Sequence, residues 1–460
     1  MARLEPDDGQ RVSPFIARLA RALYGLAWLL ATPLVVGYLL ARARRQPAYR
    51  VHWAERWALR WAPAPAGWAG ARPLWIHAVS VGETRAAQPL IEALLTADPG
   101  LRILLTHMTP TGRATGHELF VTRWPDRVHQ VYLPYDLGWA AERFLARWRP
   151  CLGILMETEL WPSLCAQAAC HRVPVVIANA RLSERSLARG LRWRALTVPA
   201  LAGLQAVLAQ TPADAQRLRR MGRDDVAVLG NLKFDIVPSA DTVALGRGWR
   251  ALLDAGGAAR DGRPVLLCAS TRDGEEALLL RAWAAAMGAA SAPRPRLLIV
   301  PRHPQRFDAV AGEVAAQGLV AVRRSQPGWP QSAAQADVLL GDSMGEMAAY
   351  VAMADAAIIG GSLLPFGGQN LIEPCALGVP VVVGPHTENF AQAADEAIAA
   401  GAARRVADAA AAIDAALALL ADPAARATMG AAGTAFAQAH RGATQRTVTA
   451  LGPWLRAQRS

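Results

Sequence analysis

The chain has 460 residues, 53% of them hydrophobic, and a formal net charge of +12; at roughly 100–200 residues per domain this predicts two domains with additional segments. Its five cysteines (Cys151, Cys165, Cys170, Cys268, Cys375) form no CxxC or metal-type spacing, which excludes a disulfide scaffold and suits buried thiols of a reducing compartment. No zinc spacing, RNP-type aromatic motif or basic recognition helix accompanies the positive charge, so nucleic acid is not the expected partner.

Residues 1–60 hold ten arginines and four acidic residues. Within them, Ala22 to Ala41 carries no charge over twenty residues, about the length that crosses a bilayer as a helix. Arg18 and Arg21 precede it; Arg42, Arg44 and Arg45 follow. No signal-type cleavage site follows closely, so residues 1–48 read as a membrane anchor with a basic flank, the remainder being cytoplasmic. Pro33 and Gly37 leave a shallow insertion open, and a hydrophobic helix packed on the protein is the alternative. Trp53, Trp57 and Trp61 recur at helical spacing with Arg56 and Arg60 between them. That pattern suits either a lipid headgroup level or the core of the first domain.

From Pro73 short apolar runs alternate with Ala- and Arg-rich helical stretches: PLWIHAV, RILLTHM, VHQVYLP, CLGILME, PVVIANA and AVLAQ. Continuous apolar strands separated by helices indicate a parallel sheet covered on both faces. A second series begins at Pro264: PVLLCAS, RLLIVPRH, LVAVR, ADVLLGD, AAIIGG and PVVVGP. The predicted organisation is therefore α/β, with a first domain at 49–235, a Gly- and Pro-containing linker at 236–262, a second domain at 263–435 and a helical tail at 436–460. A crevice is expected between the two halves.

Functional residues of such sheets collect past the strands' C-terminal ends. There stand Ser80–Glu83, Thr109–Gly112, Glu157 and Glu159, and Asn179 with Arg181. Glu83 follows a strand in SVGE, just before a helix predicted from Thr84 to Leu95. It is either a helix-start carboxylate that satisfies backbone N–H groups or a base whose burial opposes that stabilisation. Of Glu157 and Glu159, a strand that ends between them sends only one to the crevice. Lys233 in GNLKFD is the only lysine among 49 basic residues; a site that needs a compact ammonium accounts for its retention, as does chance.

In the second half four turns follow strands: Ser270-Thr271-Arg272, Pro301-Arg302-His303-Pro304, Asp342–Glu346 and the glycine-rich stretch Gly360–Gly378. Arg302 suits a bidentate phosphate grip. A helix predicted near Asn370 puts Asn370 and Glu373 on one turn, Glu373 being better placed for a ribose diol than for phosphate. Together the four turns predict a nucleotide pocket. There is no Asp-x-Asp pair for a divalent metal and no GxxxxGK[ST] loop for ATP hydrolysis.

WIHAVSVGE, THMTPTG, YLPYD, METELWP, NARLS, GNLKFD, PRHPQRF, LLGDSMGEM, GGSLLPFGGQNLIEP and GPHTENF, in this order from Trp75 to Phe390, resemble the 3-deoxy-D-manno-octulosonic acid (Kdo) transferases of lipopolysaccharide assembly, glycosyltransferase family 30. The resemblance implies a GT-B fold of two Rossmann-like domains facing across a cleft, an N-terminal membrane-anchoring helix, location at the inner membrane on its cytoplasmic side, and no metal or other cofactor. It implies inverting transfer of Kdo from CMP-Kdo to lipid IVA, with Glu83 as base and Glu157 and Lys233 stabilising the transition state, Glu159 being the alternate to Glu157. By the same resemblance Pro301, Arg302, Met344, Gly345, Glu346, Asn370, Leu371, Ile372 and Glu373 hold CMP. Gln369 departs from the histidine common in the family's GGHN. Another GT-B transferase or epimerase of envelope polymers, or a non-catalytic membrane-tethered nucleotide binder, are the alternative readings.

Overall fold

The computed structural model describes residues 12–255, 262–288, 294–333 and 336–456. It divides into two compact units, one of residues 1–236 with 441–460 and one of residues 237–440.

The first unit holds seven parallel strands: β1 (Leu74–His77), β2 (Ile103–His107), β3 (Val128–Tyr132), β4 (Leu152–Met156), β5 (Val175–Ala180), β6 (Ala206–Ala209) and β7 (Val226–Val228). Their order is β3-β2-β1-β4-β5-β6-β7. Helices cover both faces, so strands such as β1, β2 and β4 are buried at every position; this is why they read as unbroken apolar runs. β7 escapes such a reading because it is a three-residue edge strand with Ala227 and Val228 exposed.

An N-terminal helix, Pro14–Arg45, starts at a Ser13 cap. It is long and apolar enough to cross a membrane by length and composition. One stripe of it nevertheless packs along the unit. Trp28, Val35, Leu39 and Ala43 join Tyr49, Trp53, Trp57 and Tyr135, and Trp28 stacks on Tyr135 at 5.5 Å. The opposite stripe, Phe15, Leu19, Leu23, Leu26, Leu30 and Leu34, is exposed. The tryptophan series thus belongs to the core: its helix stops at Arg56, yet Trp57 meets Tyr135 at 4.9 Å and Trp61 meets Phe144 at 6.2 Å.

The second unit also has seven parallel strands: β8 (Val265–Thr271), β9 (Arg296–Pro301), β10 (Ala321–Arg323), β11 (Val338–Leu340), β12 (Ala356–Ile359), β13 (Val381–Val383) and β14 (Ala403–Arg405). Their order is β10-β11-β9-β8-β12-β13-β14. β14 was not expected, because Arg404 and Arg405 point to solvent at the sheet's edge.

Two segments differ from expectation. Most of the predicted linker at 236–262 is a helix, Ala240–Ala255, that buries Val243, Trp249 and Leu253. A Cβ at Gly246 would lie 2.1 Å from the Ala349 carbonyl oxygen, so this glycine permits close helix packing where flexibility was read. The predicted tail divides at its start: the helix Pro423–Ala439 packs in the second unit, and the chain then returns to the first. There Asp235 accepts hydrogen bonds from the Gly442 and Thr444 N–H groups, at 2.7 and 2.6 Å, and holds the start of the helix Ala443–Arg456, whose Ala443 and Leu451 join the core of the first unit.

Candidate functional site

In the first unit the strand order reverses at β1, which lies between β2 and β4. The loops past these strand ends form the crevice typical of doubly wound sheets. Glu83 lies in the first turn of a helix that begins earlier than expected, Val81–Ala86, and a second helix follows at Gln88–Ala97. Its Oε2 accepts the Val79 N–H at 2.7 Å and its Oε1 the Ser80 hydroxyl at 3.2 Å. These bonds favour the anion, but burial and then the Glu159 carboxylate oppose them and push the group up to about 8. The glutamate therefore braces the chain entering its own helix, while its carboxyl is held well above the usual range.

The strand β4 ends at Met156, and Glu157 adopts a left-handed backbone, φ 57°. This turn sends the two glutamates apart. Glu157 is buried, with Lys233 Nζ 2.8 Å from Oε1 and Arg181 Nε 3.1 Å from Oε2. Burial pushes its carboxyl upward, but Lys233 and Arg181 outweigh burial and hold it below the ordinary value. Glu159 instead accepts the Trp161 indole N–H at 2.7 Å, and burial raises it.

The lysine is delivered by its own loop. Asn231 Oδ1 accepts the Lys233 N–H, and Asn179 Oδ1 accepts the Leu232 N–H, each at 3.0 Å. Asn179 is itself left-handed, φ 55°. Such strained non-glycine residues collect at functional turns, and Ser270 at the end of β8 is another, φ 58°. The sequence marked Asn179 as a strand-end candidate; its work as the brace of the lysine loop needs the fold.

In the second unit the order reverses at β8, between β9 and β12. The turns after β8, β9, β11 and β12 thus share one sheet edge, which is where the nucleotide residues were expected. Arg302 N–H donates to the Thr271 carbonyl at 2.9 Å, seating Pro301-Arg302 beside the β8 turn. The Met344–Glu346 turn is braced from behind. Glu346 accepts Arg324 Nη2 at 3.0 Å and the Ser343 hydroxyl, which also meets the Tyr350 hydroxyl at 2.6 Å. Arg324 lies over the Trp249 ring at 4.7 Å, so the misread linker supports this turn.

The glycine-rich stretch folds differently from expectation. Its helix is Ile372–Ala376, five residues long and starting later than predicted. Asn370 is outside it, with Oδ1 accepting the Ile372 N–H at 3.0 Å, while Leu371 and Ile372 are buried and Glu373 half-buried. Gly367 and Gly368 take φ 84° and 77°, a region glycine enters freely, and Asn389 closes over them, donating to the Phe366 carbonyl at 3.0 Å. The organiser of the loop is Glu275, fully buried, which accepts N–H groups of Arg272, Gly361 and Leu363 at 2.9, 2.6 and 2.9 Å. Glu275 stands after TRDG at a helix start, and nothing in the local pattern separates it from an exposed first-turn glutamate.

Two doubly wound parallel units with polar loops at their reversal points define the GT-B class of glycosyltransferase folds. A solved Anabaena protein in complex with UDP has this architecture, with a TM-score of 0.56 at 12% identity, over 83% of this chain and 100% of that one. The family model for 3-deoxy-D-manno-octulosonic-acid transferase (kdotransferase) matches residues 51–236. The 3-deoxy-D-manno-octulosonic acid transferase of Bordetella pertussis is 48% identical over 95% of this chain and all of its own length. That of Haemophilus influenzae is 34% identical over 95% and 99%. This chain belongs to the Kdo transferase family.

Proposed function

We propose that this chain transfers Kdo from CMP-Kdo to a glucosamine hydroxyl of a lipid A precursor, lipid IVA, with inversion at the anomeric carbon. Glu83 takes the hydroxyl proton as the oxygen bonds to the anomeric carbon; the bond from that carbon to the CMP phosphate oxygen breaks, and CMP leaves with the electron pair. The Glu157–Lys233 pair supplies fixed charge that stabilises the transition state. Pro301, Arg302, Met344–Glu346 and Asn370–Glu373 hold CMP. The observation that carries this reading is Glu83: a partly buried carboxylate raised to about 8 in the SVGE turn of a Kdo transferase family member. A base matched to working pH gains most from such a shift.

The exposed apolar stripe of the N-terminal helix rests on the lipid surface that holds the acceptor, and Arg42 and Arg44 just past it favour the cytoplasmic face of the inner membrane. The packing of Trp28, Val35, Leu39 and Ala43 on the protein favours an anchor that lies in the membrane plane.

The test is incubation with CMP-Kdo and tetraacyl lipid A precursor, reading product masses. Addition of one or more Kdo masses is expected, and Glu83→Gln should keep CMP affinity while losing about 10²–10⁴-fold in rate. Turnover of UDP-sugars with CMP-Kdo ignored, or normal turnover by Glu83→Gln, would overturn the reading.

A further inference from the structure

The two oxygens of the Glu83 carboxylate are held unequally. Oε2 accepts the Val79 N–H at 2.7 Å, and Oε1 accepts the Ser80 hydroxyl at 3.2 Å. A backbone N–H can only donate, whereas a hydroxyl can turn and accept. A proton arriving at Oε1 therefore keeps a partner in Ser80, while one arriving at Oε2 would displace the Val79 bond. Oε1 is the oxygen suited to take the acceptor proton, as long as Oε2 stays fixed.

What fixes Oε2 is the peptide between Ala78 and Val79. Its N–H is the donor to Oε2, and its carbonyl oxygen lies 2.9 Å from Nδ1 of His107, the last residue of β2. The neighbours of that nitrogen decide its tautomer. A carbonyl only accepts, and the Thr84 hydroxyl, 3.4 Å away, already donates to the Ser80 carbonyl at 2.8 Å. Nδ1 thus carries the hydrogen and donates it. Burial keeps the ring neutral by pushing it down to about 3. Imidazole, peptide and carboxylate form one hydrogen-bonded row, in which each bond polarises the next.

The imidazole has no room to swing away. It is fully buried, and the helix Pro110–Gly116 lies so close that a Cβ at Gly116 would stand 2.6 Å from Nε2. The following peptide is gripped by the same loop: the Val79 carbonyl accepts the Met108 and Thr109 N–H groups and the Thr109 hydroxyl, each at 3.2 Å. The end of β2 and the loop after it therefore hold both peptides that lead into the Glu83 turn.

We propose that His107 is a positioning residue for the base: its Nδ1–H orients the Ala78–Val79 peptide, whose N–H holds Oε2 of Glu83 and leaves Oε1 to receive the acceptor proton. This rests on the reading of Glu83 as base.

The experiment is steady-state kinetics of the full-length protein with CMP-Kdo and tetraacyl lipid A precursor, for the parent, His107→Asn, His107→Gln, Gly116→Ala and Glu83→Gln. Asn carries its amide nitrogen where Nδ1 stands and keeps the donor; Gln carries it one atom further out and loses it. His107→Gln should lower kcat by about 10–100-fold with both KM values near parental, as for a reacting group displaced by up to about 1 Å. His107→Asn should restore most of kcat. Gly116→Ala pushes on the ring at Nε2 and should lower kcat at parental KM. Equal rates for His107→Asn and His107→Gln, whether both parental or both slow, overturn the inference, and so does a loss carried by KM. If either His107 variant does not fold, Gly116→Ala decides, a parental kcat overturning the inference. The underlying reading fails separately: Glu83→Gln with parental turnover removes Glu83 as base whatever the His107 variants do.

Discussion

Lys233→Met is the sharpest test of the charge arrangement in the first unit. The side chains of Lys233 and Glu157 are 15% and 7% exposed, at 2.8 Å. Removing one partner of a buried pair leaves an uncompensated charge and costs about 3–5 kcal/mol. Arg181 still lies 3.1 Å from the other carboxylate oxygen, so the expected loss is at the low end, about 3 kcal/mol. Removing both charges in Lys233→Met/Glu157→Leu should recover much of this, because no unpaired ion remains. The sign with pH follows from the depressed Glu157 carboxyl. In the parent its stabilisation is complete above the ordinary glutamate value of about 4.3 and falls as pH drops through the lower folded value. The deficit of Lys233→Met should therefore be largest near neutral pH and shrink in acid, where the orphaned carboxyl takes up a proton. Urea unfolding followed by first-unit tryptophan fluorescence, from pH 4 to 8, measures this. A loss below about 1 kcal/mol at pH 7, as for an exposed pair, or a deficit independent of pH, refutes the reasoning.

The other predictions concern elements the sequence left open. Gly246→Val would drive a side chain into the Ala349 backbone, 2.1 Å from the ideal Cβ; the second unit should lose about 1–3 kcal/mol or more, whereas a linker glycine would tolerate the change in a thermal melt. Leu30 and Leu34 are 72% and 76% exposed on the N-terminal helix; at about 1.5–3 kcal/mol for each buried leucine, Leu30→Asp/Leu34→Asp should weaken vesicle co-sedimentation by at least about 100-fold without altering solution folding. Arg324→Ala removes the 3.0 Å bond that orients Glu346, and CMP affinity by calorimetry should fall about tenfold, the equivalent of about 1.4 kcal/mol.

The alternation of apolar runs with helical stretches was enough to locate twelve of the strands, because a strand buried on both faces must be apolar throughout. β7 and β14 were illegible for the converse reason: edge strands with solvent-facing residues carry the composition of loops. The helix Ala240–Ala255 was hidden because glycine reads as a breaker. Here Gly246 is required by the approach of Ala349, a contact more than a hundred residues away in the chain. The candidate residues were legible as strand-end polar groups, but Glu275 was not, since its burial comes from the Gly361–Leu364 loop, far along the chain.

What the sequence determined by itself was which residues sit at the ends of strands, because hydrophobic periodicity is local and turn chemistry follows it. It also carried the motifs by which the family is recognised. What it could not determine was which carboxylate is charged and which is poised. Glu83, Glu157 and Glu159 are the same residue type in similar turns, and their different proton affinities arise from burial and from cations and an indole delivered by other loops. Charge interactions act through space, so only the packed chain decides them.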